Sequence, residues 1–210
     1  MKMIRPIPFL ALLGTLLVAG CGGIIELPNS GEPATIYNLT ALDSPRGEGT
    51  RLMLMVEDPT TSGGLDVSKI ARRSSPNELQ YFAGVRWNTR SSRMFQDILA
   101  QSFENTGQYV TTSRGGAVVP SKFELQTEIR DFQAEFYNGT YAPTVHVRLS
   151  LNLVRMGPLE IVDTTIIDVR VPANGNDIYA IIAAFEGATH QAMQESIDWT
   201  LGLLQAEKTP

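Results

Sequence analysis

The stretch Val145-His146-Val147-Arg148-Leu149-Ser150-Leu151-Asn152-Leu153 decides the fold. Apolar residues hold every odd position and polar residues every even one. A period of two is the mark of a strand with one face on a core and the other turned away. Alternation of this kind belongs to antiparallel sheet, because buried parallel strands read as continuous apolar runs. His146, Arg148, Ser150 and Asn152 are therefore expected on the solvent face.

The segments on either side extend the pattern. Upstream, Phe123, Leu125, Thr127 and Ile129 alternate with Glu124, Gln126, Glu128 and Arg130. The phase then slips by one, and Phe132, Ala134 and Phe136 take over. A one-residue slip predicts a β-bulge near Arg130-Asp131. Downstream, Met156-Gly157-Pro158 turns the chain and Ile161 to Val171 returns as another strand.

Asp177 then stands where a side-chain oxygen can cap a helix. Ile178, Ile182, Phe185, Ala192 or Met193, Ile197, Leu201 and Leu204 follow as an apolar stripe at three-to-four spacing. An earlier helix opens at Thr89 or Ser91/Ser92 and repeats Met94, Ile98, Leu99 and Phe103 before Gly107 stops it. Shorter strands are read at Thr35 to Leu42, Arg51 to Val56, Leu79 to Trp87 and Tyr109 to Thr112. Asp66 is read as capping a short turn through Lys69, Ile70 and Ala71. The order strands, helix, strands, helix gives an α+β fold, with two helices packed on one face of a mostly antiparallel sheet.

The first 20 residues are of another kind. Lys2 and Arg5 precede an apolar core from Phe9 to Ala19, which is the anatomy of a secretory signal. The run is short against the roughly 20 apolar residues that cross a bilayer as a helix. Leu17-Val18-Ala19-Gly20 leads into Cys21, the single cysteine of the chain. The segment resembles a lipobox, which implies cleavage before Cys21 and a diacylglycerol on its thiol, with palmitate-type acyl chains. A thiolate suits that chemistry as the strongest nucleophile available near neutral pH. Residues 21–34 are rich in Gly, Pro, Asn and Ser and read as a lipidated tether. Residues 35–210 read as one domain.

Without residues 1–20 the chain carries 15 basic against 22 acidic residues, a formal −7. An acidic surface argues against nucleic acid, whose phosphates require clustered Lys and Arg. The only histidines are His146 and His190. Neither has a ligand neighbour at metal-site spacing, so no metal is expected. No nucleophile elbow or phosphate loop is present, and no cofactor or catalytic residue is assigned. Asp131, Glu135, Asp163 and Asp168 are read as solvated strand residues. Phe136, Tyr137 and Tyr141 surround Asn138-Gly139-Thr140 and form a candidate contact rim for a partner or a lipid.

Several stretches together resemble the ABC-type transport auxiliary lipoprotein family (paraquat-inducible protein C-like). They are Tyr37-Asn38-Leu39, Leu65-Asp66, Ile70-Ala71-Arg72-Arg73, Asn77-Glu78-Leu79-Gln80-Tyr81-Phe82, Arg86-Trp87 and Met94 to Leu99. The resemblance implies a non-enzymatic lipoprotein working with an ABC transporter and an MCE-domain protein. Such systems move lipids or other hydrophobic molecules between two membranes. Gly22, where an inner-membrane retention signal would have Asp, implies the outer membrane, facing the periplasm. A carrier that holds a lipid tail in its own sheet–helix cleft is the alternative. Self-association into a homo-oligomer is left open.

Overall fold

The computed structural model describes residues 33–43, 53–112 and 120–207. The signal segment, Cys21 and nearly all of the tether lie outside these residues, as do Arg51 and the Gly115-Gly116 pair.

Among the described residues nine strands and two α-helices follow one another. They are β1 (Thr35–Tyr37), β2 (Met53–Val56), β3 (Thr60–Thr61), β4 (Lys69–Arg73), β5 (Gln80–Trp87), α1 (Ser91–Asn105), β6 (Tyr109–Thr112), β7 (Phe123–Glu135), β8 (Thr144–Arg155), β9 (Glu160–Pro172) and α2 (Ile178–Ala206). The long strands β7, β8 and β9 form an antiparallel meander with near-continuous pairing. The β7–β8 register shifts between Ile129 and Asp131, at the bulge the phase slip predicts.

The long pairings make the sheet mostly antiparallel, as expected, but not purely so. On its other edge β7 receives three short strands in turn, all parallel to it: β2 at Leu54–Phe123, β3 at Thr60–Glu128 and β4 at Arg72–Ala134. Strands β1 and β5 also run parallel, as do β2 and β6. Strands β2, β3 and β4 are two to five residues, too brief for alternation to reveal their direction. Residues Lys69 to Arg73 are strand β4, not the expected turn, because Ile70 and Ala71 are both buried against the core.

Both helices end as the sequence suggests. Gly107 adopts φ +88° just past α1, and its N–H donates to the Glu104 carbonyl at 2.9 Å. That left-handed conformation suits glycine. Asp177 accepts from the Ala180 N–H at 3.0 Å at the start of α2. The start of α1 differs. Its N-cap, Arg90, makes no side-chain cap bond. Asp66, distant in sequence, supplies the acceptor for the Ser92 N–H at 3.3 Å and pairs with Arg90 at 3.4 Å.

The core lies between sheet and helices. Val145, Val147, Leu149, Leu151 and Leu153 are fully buried, in the register their alternation predicts. The buried stripe of α2 is Ile181, Ala184, Phe185, Ala188, Ala192, Met193, Ile197 and Leu204. Ile178, Ile182 and Leu201 lie at its half-buried margin. Phe132 joins four elements: its ring is 5.5 Å from Trp87 on β5, 4.9 Å from Phe95 on α1 and 5.1 Å from Phe185 on α2. Stacked and edge-to-face pairs at these separations are favourable. The interior is thus filled by side chains where helices meet sheet.

Candidate functional site

His146 is 3% exposed, not solvated. Its strand is the middle one of the meander, so both neighbours crowd its polar face. Polar alternation marks which face a residue takes, not whether water reaches that face. The register places Gln133, His146 and Arg170 in one row across β7, β8 and β9, and Asp131, Arg148 and Asp168 in the next.

These rows close into a network. His146 Nδ1 lies 2.9 Å from Glu135 Oε1, and Nε2 lies 2.9 Å from Asp168 Oδ1. Arg170 donates to Glu135 Oε2 at 2.6 Å, and Gln133 Nε2 donates to both Asp131 and Glu135 at 2.9 and 3.0 Å. Arg148 lies within ion-pair distance of Asp131 and Asp168. Burial alone would raise the Glu135 carboxyl; the bonds from Gln133, His146 and Arg170 together outweigh it and hold the group below the ordinary glutamate range. Burial, then the nearby Glu135 carboxylate, pushes the Tyr137 phenol up.

Asp131, Glu135 and His146 bring ligand atoms within 4.8 Å of one another, a grouping that sequence spacing does not reveal. Chemically it is a ligand set in outline. However, both ring nitrogens already face carboxylates, and two guanidiniums already balance the acids. The expectation of solvated carboxylates fails here for Asp131 and Glu135, which tertiary register, not local sequence, brings together; Asp168 bonds to His146 but stays exposed, as expected. The arrangement holds three strands in register through the bonds among Gln133, Glu135, His146, Asp168 and Arg170, while Arg148 Nε is buried without a hydrogen-bond partner. It offers no nucleophile–base pair facing a cleft.

His190 is half-buried and ties α2 to the segment after β1. Its Nε2 lies 3.1 Å from Thr40 Oγ1 and 3.2 Å from Glu186 Oε1, and Glu186 also accepts from Thr40.

The aromatic rim divides. Phe136 is packed, its ring 6.2 Å from Phe82, with the Arg72 guanidinium 4.6 Å above it. Tyr137 is half-buried beside Glu135. Tyr141 stands free at 76% exposure. The turn between them uses left-handed Asn138 and Gly139, at φ 59° and 69°. Tyr179, in the first turn of α2, is 75% exposed and has no precedent in the sequence reading.

Two open grooves mark the surface. One, of about 520 Å³, lies between the β8–β9 turn and the end of α2, lined by Phe123, Arg155, Pro158 and Leu204. Arg155 there is bonded to Glu160 and Glu207. The other, of about 460 Å³, runs along β5 from Tyr81 to Arg86 and is lined by Ala34 and Lys69 as well. Among the described residues no helix is long and apolar enough to cross a membrane.

The sequence pattern of the family described as ABC-type transport auxiliary lipoprotein component matches residues 37–195. The chain belongs to that family. The auxiliary lipoprotein body is also similar in structure to a Xanthomonas campestris protein assigned to the DUF330 family, at 26% identity and TM-score 0.77, over 84% of this chain and 100% of that one. It shares its fold with an uncharacterized protein at 12% identity and TM-score 0.63, over 80% and 99% of the two chains. A hypothetical protein of Chlamydia trachomatis matches at 8% identity and TM-score 0.50, over 74% and 99%. No curated protein matches the chain. Family membership identifies a lipoprotein component of an ABC-type transport system.

Proposed function

We propose that this lipoprotein is a docking component, held by acylated Cys21 to the periplasmic face of the outer membrane. It would hold an MCE-domain protein and its ABC transporter in a system that moves lipids or other hydrophobic molecules between membranes. It takes part by binding and catalyses no reaction.

One observation carries this reading over that of a carrier: the filled interior. A sheet–helix cleft for a lipid tail would need apolar space where Trp87, Phe95, Phe132 and Phe185 instead pack ring against ring. The described polar network supports the same reading, since both nitrogens of its buried histidine are already bonded to carboxylates. Gly22 supports the outer rather than the inner membrane.

Affinity purification of the tagged full chain from detergent-solubilised membranes tests it. An MCE-domain protein and an ABC ATPase should be retained. Recovery of the chain without either refutes docking. Recovery with a stoichiometric lipid that survives delipidating washes supports the carrier instead. His190→Gln should leave complementation of a deletion strain intact. Loss of function in that folded variant would return an enzymatic reading.

A further inference from the structure

Strand register gathers distant segments at one end of the body. β1 runs parallel to β5 with Thr35 opposite Val85, so the chain preceding Thr35 runs toward the start of β5. Ala34 accordingly lies in the groove beside Tyr81 and Phe82. The start of β5 adjoins the end of β4 at Gln80–Arg72, and the end of β4 adjoins the end of β7 at Arg73–Glu135. The loop after β7 carries Tyr141. Thr144 then lies opposite both Glu135 and Pro172, and the Ala173 N–H donates to the Pro143 carbonyl at 2.9 Å. Tyr179 follows a few residues later. The chain thus enters the body at the end that presents both of its most exposed tyrosines.

We propose that this end is a membrane-contact surface: Tyr141 and Tyr179 sit at the headgroup level of a phospholipid bilayer, and the Arg72 guanidinium meets lipid phosphate. The inference rests on the reading that Cys21 is acylated. Eleven residues separate Cys21 from Pro33. Chain geometry limits their reach to at most roughly 40 Å. The body is longer than that, since the 29 residues of α2 alone extend roughly 44 Å. The far end, where Arg155 pairs with Glu160 and Glu207, is thus held off the bilayer.

The chemistry at the near end fits lipid. Tyrosine has an apolar body and a polar tip, which places it at membrane interfaces. Arg72 stacks on Phe82 and Phe136 at 5.5 and 4.6 Å, and pairs with no carboxylate among the described residues. Its Nε is buried without a hydrogen-bond partner. The acids at this end are engaged: Asp177 caps α2, Glu78 accepts from Gln80, and Glu135 belongs to the histidine network. In a body of net negative charge, this end offers an unpaired cation between aromatic rings.

Acylation occupies the thiol of Cys21, so an introduced cysteine is the only free thiol for a spin label. The acylated mature chain bearing Tyr141→Cys, Tyr179→Cys or, as the distal control, Gly157→Cys is reconstituted in phosphatidylethanolamine–phosphatidylglycerol vesicles. Collision with dissolved oxygen and with a water-soluble nickel complex is then measured. Labels from the two tyrosine variants should lose nickel accessibility several-fold against the Gly157→Cys label while keeping oxygen accessibility, as at headgroup depth. Nickel accessibility equal to that of the Gly157→Cys label overturns the proposal. Protection from both reagents also overturns it, by placing a protein contact there. Mass analysis of the Cys21 peptide reports the anchor separately: an unmodified thiol defeats the anchoring reading whatever the labels show. Arg72→Gln should further weaken vesicle binding of the unacylated Cys21→Ser chain several-fold, and unchanged binding would remove Arg72 from the surface.

Discussion

Phe132→Ala should be among the most damaging substitutions this body can suffer. The side chain is buried and its ring touches rings from β5, α1 and α2, so its loss opens space no single neighbour can fill. Core Phe→Ala changes cost about 3–5 kcal/mol, more where collapse is hindered. Each ring pair adds roughly 0.5–1.5 kcal/mol beyond area burial, which places this site in the upper half of that range. In a body of this size 1 kcal/mol moves Tm by about 2–4 °C, so a fall of roughly 8–20 °C is expected. Thermal and urea unfolding of the Cys21→Ser mature chain, followed by circular dichroism, measures it. Phe132→Leu should cost much less, because volume is largely kept. Phe132→Ala and Phe185→Ala combined should fall short of additivity, as contacting residues do. A cost below about 1 kcal/mol, in the range of surface changes, would show that the helices do not meet the sheet through this ring.

Acid should strip one contribution from the polar face. The Glu135 carboxyl is held below its ordinary value, so its stabilisation is complete above about pH 4.3 and is lost as pH falls through the lowered folded value. Glu135→Gln should be destabilised at neutral pH, and its deficit against wild type should shrink below pH 4; urea midpoints across pH that stay parallel would contradict this. Asp66→Ala should cost about 1 kcal/mol through the lost cap of α1, read from the same midpoints. Cys21→Ser should abolish incorporation of labelled palmitate, and equal labelling of both chains would rule out the anchor.

The meander was legible because its side chains carry two independent signals, alternation and a phase slip, over long strands. Both helices were legible through Gly107 and Asp177. The parallel attachments of β2, β3 and β4 were not, since two to five residues cannot encode a direction. Asp66 was assigned to a local turn because its actual partners, Ser92 and Arg90, lie far along the chain. The histidine network was hidden for a related reason: Glu135, His146 and Asp168 meet only through cross-strand register. The rim at Tyr137 and Tyr141 was visible as composition, but that Tyr179, in the first turn of α2, stands at the same end became visible only through the strand register.

Strand β7 is the shared seam of the sheet, and that has a consequence for biogenesis. Leu54 meets Val110 on one side and Phe123 on the other, and Arg72 meets Gln80 and Ala134, so each early strand has one partner that only β7 supplies. The segments that emerge first can therefore form only the short ladders β1–β5, β4–β5 and β2–β6, which β7 alone joins into one sheet, and β7 closes its second edge only with the β8 hairpin behind it. A chain stopped short of residue 123 would expose unpaired strands, the kind of edge that seeks other chains. Assembly of this body is consequently governed from its C-terminal half, while the segment that would be fixed to the membrane lies at the opposite end of the sequence.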